Sequence, residues 1–166
     1  MKITYLSAAM ALTKSYTKKD GVVTKSSYPN AFEFTSFTED IKDLGVFAES
    51  IKHHADMGHC LLKGEIQRPL SKESRASSTD SNSLTEWICL DVDGIPNCTA
   101  SDFMRYIKLG HISHIIQYSA SYKIENDDLK CHIFLRTDRV SAPAIKQWLI
   151  QLNHETPILR EAMQLT

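Results

Sequence analysis

Two aspartates placed two residues apart, in WICLDVDG, are the pair best suited to chemistry in this sequence. Successive residues of an extended strand point to opposite faces, so Asp91 and Asp93 project to the same side. An unpaired carboxylate held out of water is costly, by roughly several kcal/mol. Mg²⁺ or Mn²⁺, hard cations that take oxygen ligands, would remove that cost. The alternative is a turn in which one of the two caps local amides. His132 comes next. LKCHIFL alternates, so Cys131 and Ile133 share one face while His132 and Phe134 share the other. On spacing alone, such a histidine is more often a satisfied core residue or an exposed one. Ser119 and Ser121, also two apart, would share a face of the preceding strand. If the two strands pair across KIENDD, both serines and His132 could line a groove near Asp91. The cations Lys63, Arg68, Lys72 and Arg75 fall in or beside one polar stretch. Arginine suits two-point phosphate contacts and lysine a single charge; Lys63 and Arg75 are the candidates of this set. His53, His54 and His59 follow no recognised ligand spacing and read as surface histidines.

The elements that must position these residues follow from periodicity and punctuation. KITYLSAAM reads as a strand and Thr17–Asn30 as a polar loop or hairpin. Ile41, Leu44, Phe47, Ala48 and Ile51 recur at helical spacing, which predicts a helix from about Thr38 to Met57. Thr38 would be its cap and Gly58 its stop. HCLLKG is a short strand. The polar run 65–83 is a long loop of a kind that is often functional. WICLDVDG is a strand ending in a turn at Gly94 and Pro96, and TASDFMRYIKLG a helix capped by Thr99 with Asp102 at its third position. HISHIIQYSAS and LKCHIFLRT are strands, and SAPAIKQWLIQLNH is an amphipathic helix. The order β-α-β-β-α predicts an α+β fold: an RRM-like, mixed or antiparallel sheet with helices on one face. One domain is expected over 1–166, with an N-terminal α/β module at 1–58, a motif-bearing sheet at 59–139 and C-terminal helices at 140–166.

Composition narrows the classes. With 42% hydrophobic and 23% charged residues among 166, the chain can bury a core and is neither disordered nor of low complexity. A net charge of -1 gives no global attraction to nucleic acid, so contacts would be local. Lys2, Lys14, Lys18, Lys19 and Lys25 against Asp20 form one such patch. The four cysteines form no C-x-x-C pair, which argues against zinc. No leader and no membrane-spanning run is expected, and the location expected is cytoplasmic.

LDVDG followed by a helix, a strand ending YSAS, and KCHIFLRTD together resemble the first two motifs of the archaeo-eukaryotic primase superfamily. The approach LLKGEIQRPLSKESRASSTDSNSLTEWICLDVDG resembles that of phage-type and plasmid-type replication primases. The likeness spans roughly residues 59–139, and the serine-to-histidine gap is longer here than in the family. It implies a primase or primase-polymerase acting on a single-stranded DNA template with nucleoside triphosphates, alongside a helicase. Asp91 and Asp93 would hold two Mg²⁺ or Mn²⁺ ions and His132 would contact the nucleotide, with Ser119, Ser121, Lys63 and Arg75 near its phosphates. The family's third motif, an apolar residue followed by Asp, has no copy after His132, so a truncated core is expected. Asp138 and Glu125 are the first substitutes for that ligand. Two other classes are open. One is a non-catalytic nucleic-acid module using Tyr118, Tyr122 and Phe134. The other is a haloacid-dehalogenase-type phosphatase, suggested by DVDG.

Overall fold

The computed structural model describes residues 1–79 and 82–156. The protein is a mixed α+β fold with three antiparallel sheets and three helices. The strands are β1 (Lys2–Ser7), β2 (Lys14–Lys19), β3 (Val22–Ser27), β4 (Thr35–Asp40), β5 (Cys60–Leu62), β6 (Leu84–Ile95), β7 (His114–Tyr118) and β8 (Leu129–Ser141). The helices are α1 (Leu44–Asp56), α2 (Ala100–Tyr106) and α3 (Ala142–Glu155). Among the described residues, no helix is long and apolar enough to cross a membrane.

The sheet that carries the aspartates has the order β6-β8-β7, with β8 antiparallel to both neighbours. Strands β6 and β7 therefore run parallel. Helix α2 connects them, and β8 is inserted between, which makes a split β-α-β arrangement. Alternation sorts the sheet into two faces. Leu90 and Val92 of β6, with Leu129, Cys131, Ile133 and Leu135 of β8, turn to α2 and α3 and meet Phe103, Met104, Leu149 and Leu152 in the main core. Trp87 and Phe134 point the other way. Both helices are capped, α2 as its sequence predicts. Thr99 and Asp102 form a reciprocal capping box at α2, and Ser141 Oγ accepts from the Ala144 amide at α3, where Pro143 sits in the first turn.

The expectation that the helices share one face is corrected by α1. Phe47 and Ile51 of α1 pack with Ile3, Tyr5, Trp87 and Phe134 in a second core, on the sheet face opposite α2 and α3. The Phe47 ring meets Trp87 at 5.6 Å and Phe134 at 5.5 Å, both edge-on. The predicted helix from Thr38 to Met57 is also corrected. Thr35–Asp40 is strand β4, paired with β1, and Thr38 Oγ1 lies 3.0 Å from Thr4 Oγ1 across that pair. The helix starts later because Asp43 caps it, accepting from the Val46 amide at 2.9 Å. It stops as expected at Gly58, whose φ of +72 only glycine adopts cheaply. A Cβ there would also come within 2.6 Å of Ala11.

Strand β5 pairs with β1, so the N-terminal sheet, in the order β4-β1-β5, draws its third strand from beyond residue 58. The polar run after it folds back. Phe34 and Glu73 exchange backbone hydrogen bonds, and Leu70 is buried among Leu6, Leu12, Phe34 and Leu62. Asp80 and Ser81 of that run lie outside the described residues, as do residues 157–166 and the further helix and truncated end expected there.

Because α1 is held to the sheet chiefly through a few large side chains, Phe47→Ala should destabilise the fold by ~3–5 kcal/mol. Equilibrium urea unfolding followed by tryptophan fluorescence measures it. A loss under ~1 kcal/mol would mean that the second core does not join the two sheets.

Candidate active site

Strands β6, β8 and β7 bring Asp91, His132 and Gln117 into one cross-strand row, because Asp91 pairs with His132 and His132 with Gln117. Asp93 pairs with Lys130 one step along. Strand β6 does not end at the turn expected at Gly94. It passes through Gly94, which has φ +92, in a bulge between Asp93 and Ile95. Such bulges bend a strand locally and re-aim its side chains.

The row forms part of a groove of about 810 Å³ between this sheet, α1, β5 and the β2–β3 hairpin. Asp91, Asp93, His132, Ser119, Ser121 and Lys63 all line it. The structure thus gathers six of the residues singled out by sequence and leaves Arg75 aside. The Arg75 guanidinium lies over the Phe34 ring at 5.9 Å, and Arg68 is taken up by Glu73 at both nitrogens. Neither Asp138 nor Glu125 lines the groove. Glu125 accepts from Lys130 Nζ at 2.6 Å. Ser119 and Ser121 reach the groove by a different route from the one expected. Strand β7 ends at Tyr118, and the two serines sit in the following turn with their hydroxyls 3.1 Å apart.

Asp91 is the electrostatic centre. Lys63 Nζ donates to its Oδ2 at 3.2 Å, and His132 Nε2 lies 3.3 Å from its Oδ1. The His132 hydrogen bond holds the Asp91 carboxyl down at about 2, against the opposing effect of its burial, with the Lys63 charge as a further cause. The Asp93 carboxylate is exposed and makes no hydrogen bond or ion pair among the described residues. The donor set suits a hard divalent ion. Two carboxylates face one polar groove, one of them is already charge-compensated by an ammonium, and Mg²⁺ commonly takes one or two carboxylates plus phosphate oxygens and water. Among the described residues, no group of three or more His, Cys, Asp or Glu is arranged around one point as a ready-made metal cage. A cation here would depend on its ligand for the remaining oxygens.

The far end of the groove holds residues that sequence reasoning missed. His54, read as a surface histidine, is only 5% exposed. It stacks on Tyr5 with ring centres 3.7 Å apart and bonds His59 and Glu39. The helix read across Thr38 concealed this, because Phe37 and Glu39 face the histidines only when that segment is a strand. The alternation Thr35, Phe37, Glu39 was the available signal.

The depressed Asp91 carboxyl gives a pH dependence whose sign is fixed. The ordinary value is 3.8 and the folded value about 2, so its stabilisation is complete above the ordinary value and fades as pH falls towards 2. Carboxyl-carbon NMR should find Asp91 titrating well below 3.8, and His132→Ala should move it upward. An Asp91 midpoint near 3.8 in the parent would show that His132 does not hold it. No protein family, curated protein or solved structure matches this chain, so the chemistry of the groove rests on its own residues.

Proposed function

We propose that the chain binds a nucleoside triphosphate with Mg²⁺ or Mn²⁺ and serves nucleotidyl transfer on single-stranded DNA. In this reading it is the catalytic core, or part of it, of a primase or primase-polymerase of the archaeo-eukaryotic type. The observation that carries the reading is the common groove. Asp91 and Asp93 share it with His132, Lys63, Ser119 and Ser121, although these residues come from four separate stretches of sequence. The β6-β8-β7 order, with α2 between β6 and β7, is compatible with the RRM-like sheet that the resemblance implies and supports the reading.

Each residue has work to do in that reading. Asp91 and Asp93 would hold the divalent ions, which when bound stabilise charge on the reacting phosphate and leaving pyrophosphate. Lys63 and His132 present N–H donors beside them, suited to phosphate oxygens, and the paired serine hydroxyls extend the polar wall. Positioning and charge compensation carry most of phosphoryl-type transfer, and these are the services such a wall supplies. A replicative helicase, as a partner protein or a linked domain, and a cytoplasmic setting belong to the same proposal.

A non-catalytic single-strand-binding module is the second reading, favoured by one observation. Tyr118, half exposed at the groove, stacks on Tyr122 at 4.3 Å, and Lys123 Nζ lies 5.4 Å from the Tyr122 ring centre. Stacked aromatics with neighbouring cations bind single strands without catalysis.

Titration calorimetry with ATP and Mg²⁺ separates the two. The parent should bind ATP only with the cation present, and Asp91→Asn/Asp93→Asn should lose that binding. His132→Ala should weaken it on the order of tenfold, the scale of one charge-assisted hydrogen bond. Cation-independent binding, or binding indifferent to both aspartates, would sink the metal assignment. Asp91 and Asp93 are the only carboxylates among the described residues that line the groove. Primer synthesis by residues 1–166 on single-stranded DNA should therefore be weak beside that of a chain carrying a third carboxylate. Robust synthesis would place that ligand within this chain.

A further inference from the structure

A hydrogen-bonded chain runs from beneath the N-terminal sheet to the groove: Tyr5, Ser50, Glu39, His54, His59. Its proton positions follow from the donors and acceptors present. The Ser50 hydrogen bond, first, holds the Glu39 carboxyl below its ordinary range, so Glu39 is an acceptor only. Ser50 Oγ donates to Glu39 Oε2 at 2.5 Å. The Tyr5 phenol, pushed up to about 12 by burial, keeps its proton and donates to Ser50 Oγ at 2.7 Å. His54 Nε2 donates to Glu39 Oε1 at 3.3 Å, so the His54 proton sits on that nitrogen. In the uncharged pair, His54 Nδ1 is then a bare lone pair. Since it lies 2.8 Å from His59 Nδ1, His59 must donate there. His59 Nε2 is left without a proton, and among the described residues it has no hydrogen-bond partner.

Tyr5, His54 and His59 line the same groove as Asp91 and Lys63. His59 precedes Lys63 by four residues along the β5 segment, ~13 Å of extended chain. That is of the order of the length of a nucleoside triphosphate lying with its phosphates at Lys63 and its base at His59. Phe37 stacks on the His59 ring at 5.1 Å and fixes its plane.

We propose that Glu39 locks His54 and His59 in the tautomers that leave His59 Nε2 a bare acceptor, and that this atom reads the exocyclic amine of an adenine or cytosine base. The inference rests on the nucleotide-binding reading above and adds to it a base preference set at the end of the groove away from the carboxylates. A 6-oxo or 4-oxo base would set its oxygen against the lone pair and lose the contact.

The lock makes an inverse prediction. In Glu39→Gln the amide oxygen can still accept from Ser50 only if its NH₂ turns to His54. His54 then takes its proton on Nδ1 and donates to His59, whose Nε2 becomes a donor. The test is calorimetry of ATP and inosine triphosphate with Mg²⁺ on the whole chain, with ¹⁵N NMR of the imidazoles. The parent should bind ATP more tightly on the order of tenfold, the scale of one hydrogen bond gained against an acceptor left unpaired. Its His59 Nε2 should show the shift of an unprotonated nitrogen. Glu39→Gln should reverse the preference, and His59→Ala should abolish it while leaving the cation requirement intact. Equal affinities in the parent would overturn the base-reading role and leave the nucleotide site standing. Binding of neither nucleotide would overturn both. A protonated Nε2 in the parent, or a preference unchanged by Glu39→Gln or His59→Ala, would overturn the lock.

Discussion

The register of β6 against β8 is the constraint on which the candidate site depends. Asp91 faces His132 because these two residues are opposite one another in an antiparallel pair, and Gln117 joins them because β7 pairs with β8 on its other side. A slip of one residue would turn the aspartates into the apolar core and send Leu90 and Val92 to the groove. The burial of those two residues against α2 and α3, at 0% and 1% exposure, therefore also fixes where the carboxylates point. Packing on one face specifies chemistry on the other.

The groove has a charge gradient along its length. At one end two carboxylates sit with Lys63 and His132; behind the other, the half-exposed Glu39 carboxylate is met by hydroxyl and imidazole donors. The two ends use the same device for different outcomes. At Asp91 the donors come from the groove wall, so a ligand can compete for them. At Glu39 the donors are Ser50 and His54, both buried. A polar network whose buried members are paired favours one set of rotamers. The far end is thus the rigid one, and the carboxylate end the adaptable one.

Much of this could be read in the sequence, for identifiable reasons. WICLDVDG and KCHIFLRT have clear period-two alternation, and TASDFMRY carries its own cap, so β6, β8 and α2 were legible along with the side on which Asp91 and His132 fall. The N-terminal half was less so. Ile41 to Ile51 fits a helical period, but Thr35–Asp40 pairs with β1 through contacts distant in sequence, and Asp43 is a stronger cap than Thr38. That one boundary hid Glu39, and with it the role of His54. Lys63 was visible only as a cation, since its contact with Asp91 spans 28 residues. Ser119 and Ser121 were placed at the groove on the premise of a strand, which a turn replaces. Arg75 was chosen by residue type, and its Phe34 contact depends on how the loop folds back.

The β2–β3 hairpin supplies one wall of the groove through Lys14 and Tyr16 yet contributes no residue to any of the three cores. Its strands pair with each other, and their side chains are exposed or half-exposed. A segment placed in that way is free to drift in length and composition without cost to the rest of the fold. Related chains could therefore widen, narrow or recharge the mouth of the groove by editing 14 to 27 alone, while the row through Asp91 and His132 stayed as it is. The wall of the groove formed by Lys14 and Tyr16 is thus the part on which the three cores place the least restraint.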